Sequence, residues 1–207
     1  MDGSPSPPKA RTTEMTHADY KKGLLKTANI FTYLLFLVSN ISTVIPPRPI
    51  YENIQQTYFT PAIWAFYVWP IIHILLLCTL IYSLASNRGS AVMIDGISWE
   101  FPLFTVLYAI FVIVWGNHNQ TAVFAICFCL DYVGDSIYWA LKTKCSPDSL
   151  GEQFLIILPF SACQAWNGVI LFLTAFEAFG VDATEREDGG WTRFFVVLAL
   201  WVPVSGC

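Results

Sequence analysis

The sequence predicts an all-α integral membrane protein, a polytopic helical bundle of about six spans. Three observations carry that reading. Apolar residues gather into six runs, most of them near the roughly 20 residues that cross a bilayer as a helix. Only 13% of the chain is charged, against about 25% in a soluble domain. The alternating segments of about ten residues that build a membrane β-barrel are absent from the pattern. The runs fall at residues 24–45, 62–84, 98–116, 120–141, 153–176 and 191–204. The connections are short, which leaves room for one membrane domain and no second soluble one. The net charge of −4 comes largely from one acidic loop and gives no sign of a nucleic-acid partner. The expected surroundings are a lipid bilayer.

Taken in order, residues 1–22 are polar, rich in Pro, Ser and Lys, and without the apolar core of a signal peptide. They read as a disordered cytoplasmic tail. Span one follows. Lys9, Arg11, Lys21, Lys22 and Lys26 precede or open it, Arg88 lies between spans two and three, and Lys142 and Lys144 lie between spans four and five. All fall on one side of the membrane, and the positive-inside rule makes that side, with the N-terminus, cytoplasmic. Trp64, Trp99, Trp139 and Trp191 sit near span ends, where interfacial anchoring accounts for them. Pro61 suits a helix start. Pro70 and Pro159 lie within spans two and five, where each should kink its helix and free a carbonyl one turn earlier. The sequon Asn119–Thr121 lies in a turn against the opposite face and should be unused. Residues 181–207 comprise the acidic loop and a short sixth span that reads as a partial helix or a truncated form. The cysteines read as small hydrophobes, and Cys127 and Cys129 fall on different helix faces, unlike a zinc pair.

Aligning antiparallel spans by depth, at about 1.5 Å per residue, places His73 of span two beside Asp131 of span four. Tyr108 of span three and Gln164, Trp166 and Asn167 of span five fall at a similar depth. Asp131 and Asp135 are four apart and share a helical face. A charged Asp at mid-bilayer costs several kcal/mol or more, so this face should turn to the bundle interior. A hydrogen-bonded contact of Asp with His73 or a Tyr is one reading of the layer; proton transfer, catalysis or ligand binding is the other.

Three stretches resemble the tryptophan-rich sensory protein and translocator (TspO/MBR) family, also called peripheral benzodiazepine receptor-like. They are "ANIFTYLLFLVSNISTVIPP" in span one, "YFTPAIWAFYVWPIIHILLL" in span two and "LPFSACQAWNGVILF" in span five. Phe59, Thr60, Pro61, Ala62, Ala65, Phe66 and Trp69 match the family's signature, as do Pro159, Phe160, Ser161 and Trp166 in span five. The chain departs from it at Ile63, Trp64, Pro70, His73 and Ala165, and it carries Asp131 and Asp135 where members usually have Leu or Met. The resemblance, strongest to the longer bacterial-type members, implies a five-helix core over residues 23–180. It also implies an aromatic pocket for a porphyrin, sterol or similar flat apolar molecule.

The first expected function is therefore membrane-embedded binding of a small hydrophobic ligand, in sensing, buffering or transport. Tyr33, Phe66, Trp69, Tyr108 and Trp166 would form the pocket, with His73, Asp131 and Asn167 as its polar groups. A porphyrin or haem is the candidate ligand, and His73 the candidate ligand to haem iron; no cofactor and no metal site follows from the residues themselves. The second is an enzyme of the membrane terpene-cyclase type, with Asp131, Asp135 and Glu100 as its acids. The third is a proton-coupled transporter built on Asp131, Asp135 and His73, which the absence of a visible internal repeat disfavours. Small residues in the spans permit a homodimer.

Overall fold

The computed structural model describes residues 9–44, 63–117, 119–144 and 149–179, with side chains described over 19–41, 64–117, 119–144 and 149–179. Helix α1 covers Lys9–Val44. The stretch 9–22, expected as part of a disordered tail, is thus helical. Between Lys9 and Val44 the sequence holds no proline and one glycine, Gly23. Once the apolar part is helical, extension adds about one backbone hydrogen bond per residue. The sixth span, the acidic loop and the signature residues Phe59–Ala62 lie outside the described residues.

A 3₁₀ turn over Ile63–Tyr67 leads into α2, Val68–Ala85. Pro70 is the third residue of α2 and does not kink the middle of a helix, as the sequence suggested. The tighter 3₁₀ bonding over Ile63–Tyr67 ends where α2 begins, and that change of helix type just before Pro70 accommodates the hydrogen bond the proline cannot donate. Pro159 frees a carbonyl one turn earlier, as expected. It is the second residue of α7, Leu158–Phe179, which continues from the short α6, Leu150–Glu152, through a π-helical stretch, Gln153–Ile157. Pro159 cannot donate to the carbonyl of Leu155, and that oxygen accepts a hydrogen bond from Thr79 Oγ1 of α2 at 2.6 Å. The span is pinned to its neighbour at the group the proline released.

Residues 87–97, read from sequence as a loop, form α3, Asn87–Ala91, and a second π-helical stretch, Val92–Ile97. This segment bends 74° from α4, Glu100–Trp115. It lies across one end of the bundle, touching α1, α4 and α5, with Met93 and Ile97 buried beneath it. Two residues make the elbow possible. Gly89 lies so close to α2 that a Cβ would sit 2.7 Å from the Tyr82 carbonyl oxygen. Ser98 takes φ 55° and ψ −130° and Trp99 takes φ −75° and ψ −7°, the geometry of a type II′ turn, whose first central residue is usually glycine. Arg88 Nε and Glu152 Oε1, 2.6 Å apart, tie this end segment to α6.

Helix α5 covers Gln120–Lys144. Four described helical segments are long and apolar enough to cross a membrane, and the bent pair around α4 makes a fifth. Packing runs α1 to α4, α4 to α5, α5 to α7, α7 to α2 and α2 back to α1, so the five close into a ring. The outer surface is apolar, with Phe31, Val38, Ile74, Ile113 and Phe128 exposed, as a lipid-facing surface requires. Trp64, Trp99 and Trp139 are also exposed, near helix ends.

Two stability outcomes test these local devices by thermal unfolding in detergent. Thr79→Val should cost about 1 kcal/mol, because it leaves the Leu155 carbonyl short of its donor. In a Pro159→Ala background, where a backbone N–H is restored, the cost should shrink. Ser98→Gly should stabilise by about 1 kcal/mol by relieving the positive φ, whereas Ser98→Val should destabilise.

Candidate functional site

The interior of the ring is aromatic. Tyr33 and Phe36 lie three apart on α1 and so share a face. Phe66 precedes α2, and Trp69 and His73 lie three and seven residues beyond it. Tyr108 and Trp115 come from α4, and Trp166 from α7. Phe36 is the hub. Its ring centroid lies 4.5 Å from His73 and 4.9 Å from Tyr108, with Tyr33 at 6.4 Å and Trp69 at 6.3 Å. Trp69 stacks on His73 at 5.9 Å, meets Tyr108 edge to face at 5.2 Å and reaches Trp166 at 6.3 Å. Phe66 continues the cluster to Trp166 at 5.9 Å and to Trp115 at 6.5 Å. Four helices therefore share one body of aromatic rings.

The two halves of the cluster differ in their polar atoms. On the α1 and α4 side the groups are engaged: Tyr33 donates to the backbone carbonyl of His73 at 2.9 Å, and Cys163 Sγ approaches the Tyr108 hydroxyl at 4.0 Å. On the α2 and α7 side, both ring nitrogens of His73 and Nε1 of Trp166 are buried without a hydrogen-bond partner among the described residues. An unpaired buried polar group costs about 1–3 kcal/mol, so these three atoms are an unusual concentration in one cluster.

Asp131 makes no hydrogen bond to His73, whose ring nitrogens have no partner among the described residues, and is bonded by Gln164 instead. The interior face of α5 is Val123, Cys127, Leu130, Gly134 and Ile137. Asp131 lies one position round the helix and is half-buried, and Asp135 is exposed on the outside of the bundle. Gln164 of α7 holds both: its Nε2 donates to Asp131 Oδ1 at 3.0 Å and to Asp135 Oδ1 at 2.8 Å. Gln164 Oε1 accepts from Nδ2 of the buried Asn167 at 3.4 Å. Gly134 makes this seam possible, since a Cβ there would collide with Gln164 Oε1. Glu100, at the start of α4, accepts from Ser136 Oγ at 2.9 Å. The acidic residues thus line the contact of α5 with its neighbours, and Asp131 alone of the three lies within electrostatic reach of Tyr108.

Of the residues expected at the site, Tyr33, Phe66, Trp69, His73, Tyr108 and Trp166 come together. Asn167 is buried beside them on α7 and points its amide to the seam. Asp131 and Asp135 bond Gln164 and Glu100 bonds Ser136, none of them a ring of the cluster. Sequence reasoning missed Phe36, although its spacing from Tyr33 places both on one face. It also missed Trp115, which reaches the cluster through Phe66, and Glu177, which is buried near the end of α7 beside Trp115.

A ring of five spans around an aromatic core, with orphaned ring nitrogens and no regular secondary structure but helix among the described residues, defines a polytopic helical membrane protein. A family model for TSPO-like proteins matches residues 26–205, and the chain belongs to that family. No curated protein and no solved structure gave a significant match.

The seam makes its own prediction. Gln164→Leu should destabilise by about 1–3 kcal/mol, because it strips two carboxylates and Asn167 of their shared partner. Asp135→Leu should cost far less, since Gln164 keeps its bond to Asp131. Thermal unfolding of the two variants in detergent checks the order.

Proposed function

We propose that the protein is a membrane-embedded binding protein for a flat apolar ligand of porphyrin or sterol type, serving in sensing, buffering or transport. The observation that carries the reading is the pairing of stacked aromatic faces with unpartnered nitrogens on His73 and Trp166. Flat apolar ligands gain from aromatic faces, and a few placed polar groups fix their orientation. The indole N–H of Trp166 can donate to a carboxylate or a hydroxyl, and His73 can donate or accept according to its tautomer. A porphyrin carries carboxylates at its edge and a sterol carries a hydroxyl, so both chemistries suit these atoms. His73 also has a ring nitrogen available to an iron at the centre of a porphyrin. Membership of the TSPO-like family supports membrane binding and sensing at this coarser level.

The cyclase and transporter readings draw on Asp131 and Asp135. Their support is weaker, because Asp135 lies on the outside of the bundle and Gln164 already holds both carboxylates.

Tryptophan-fluorescence quenching of the detergent-purified protein by protoporphyrin IX tests the proposal, with far-UV circular dichroism to confirm folding. Saturable quenching in the micromolar range is expected, weakened up to about tenfold in Trp69→Leu and Trp166→Leu, each of which removes a stacking face worth about 0.5–1.5 kcal/mol. Asp131→Asn should leave the quenching unchanged. Quenching that does not saturate, or that survives both tryptophan substitutions, would remove porphyrin binding at this cluster. A product in lipid extracts that depends on Asp131 would favour the enzyme instead.

A further inference from the structure

We propose that the groove between α1 and the elbow joining α3 to α4 binds an anionic phospholipid, with the phosphate held at the lysine rim and the first acyl carbons along the apolar floor. The groove has a volume of about 480 Å³. Lys21 and Lys22, both exposed, form its rim on α1. Leu24, Leu25 and Ile94 form the floor, and Ser98 and Trp99 of the type II′ turn close the far side. Asp95 also lines the groove and is the one carboxylate among its described lining residues. It faces two ammonium groups, and Lys26 lies in the adjoining narrow crevice that shares Ile94, so cations outnumber it. In that crevice the buried Asn29 Oδ1 has no hydrogen-bond partner among the described residues.

The position of these groups selects the occupant. Lys21 and Lys22 sit where the apolar part of α1 begins, and Trp99, 54% exposed, sits where α4 enters the membrane. A free phosphate would use the lysines and leave the apolar floor wet; an acyl chain alone would use the floor and leave the lysines idle. A phospholipid with net negative charge satisfies both. Basic pockets between spans at a membrane boundary hold acidic lipid headgroups by this combination. The strained Ser98 and the sharp elbow keep the groove open, because a straight continuation from α3 into α4 would leave no step for it.

The test uses the full chain in detergent micelles, titrated with dioleoylphosphatidylglycerol or dioleoylphosphatidylcholine. Lipid retention is read by native mass spectrometry and stabilisation by the thermal midpoint. Phosphatidylglycerol should be retained and should raise the midpoint more than phosphatidylcholine does. The double variant Lys21→Gln, Lys22→Gln should bind phosphatidylglycerol roughly 30-fold more weakly, with phosphatidylcholine unaffected. Leu24→Glu, which places a negative charge in the floor, should expel the anionic lipid by a separate route. Lys142→Gln, Lys144→Gln removes the same charge from the same end of the bundle outside the groove and should change little. Equal retention of the two lipids would overturn the proposal. So would an equal loss in the Lys142, Lys144 variant, which would mark general surface attraction. Stabilisation by soluble glycerol phosphate as large as that by phosphatidylglycerol would reduce the site to one for phosphate alone and overturn the lipid assignment.

Discussion

The contact of Phe36 with His73 and Tyr108 holds three spans to one another, and the rest of the bundle is arranged around it. Lipid tails are as apolar as Leu, so helices in a bilayer gain little from hiding hydrophobic side chains from their surroundings. Association has to come from close packing and from a few hydrogen bonds. Phe36 is wholly buried and touches rings on both α2 and α4 from its place on α1. Each well-oriented aromatic pair adds about 0.5–1.5 kcal/mol beyond area burial. The Tyr33 hydroxyl reinforces the same junction by bonding the His73 carbonyl. Aromatic residues suit this task because a flat rigid ring fills space while losing little rotamer freedom. The aromatic weight of the chain, 16%, is thus part of how the helices find each other, whatever else the rings bind.

Hydrogen bonds act where rings cannot. A bilayer tolerates a broken backbone pattern only where protein supplies the missing partner. Pro159 breaks the pattern, and Thr79 supplies the donor. On the opposite side of α7 the amide of Gln164 divides itself between two carboxylates of α5. One helix is therefore fastened to α2 by the oxygen its proline released and to α5 by a side-chain fork. Two residues beyond the second fastening it presents Trp166 to the cluster. The π-helical stretch before Pro159 takes up the extra residue locally, leaving the remainder of α7 regular enough to present Trp166 and Asn167 at fixed positions.

Hydropathy made the five described spans legible, because solvation by lipid acts on every residue of a span at once. The aromatic site was legible in part from spacing and in part from resemblance, and Tyr33, Trp69, His73, Tyr108 and Trp166 do meet. What the sequence concealed was rotation. Counting residues fixes depth along a helix and leaves the angle about its axis free. Counting aligned Asp131 with His73, but the two have different partners, because Gly134 is the buried residue at that point of α5 and Asp131 is only half-buried. The end segment over residues 87–97 was hidden for another reason. It is short, carries Arg88 and Asp95, and owes its shape to Gly89 and Ser98 rather than to any periodic pattern. Phe36 could have been found from its spacing to Tyr33, but a phenylalanine among so many in span one carries no mark of its own.

The division of the cluster into engaged and unengaged halves bears on how a flat molecule could enter it under the proposed reading. Tyr33, Phe36 and Tyr108 have almost no accessible surface, and moving them would break the Tyr33 bond or open the contact that joins α1 to α4. Trp166, Phe66 and His73 retain slightly more surface, and neither His73 nor Trp166 has a side-chain hydrogen bond to lose among the described residues. Displacing a ring that is unpaired costs packing alone, and a ligand that then pairs its nitrogen recovers the roughly 1–3 kcal/mol that an unsatisfied buried polar group costs. Ligand and helix compete for the same aromatic faces, so affinity would be set by the difference between two similar packings. On that account α1 and α4 form the fixed wall, and the rings of α2 and α7 are the ones that yield. Any selectivity would then reside in the polar edge of the ligand, where His73 and Trp166 distinguish a carboxylate or hydroxyl from bare hydrocarbon.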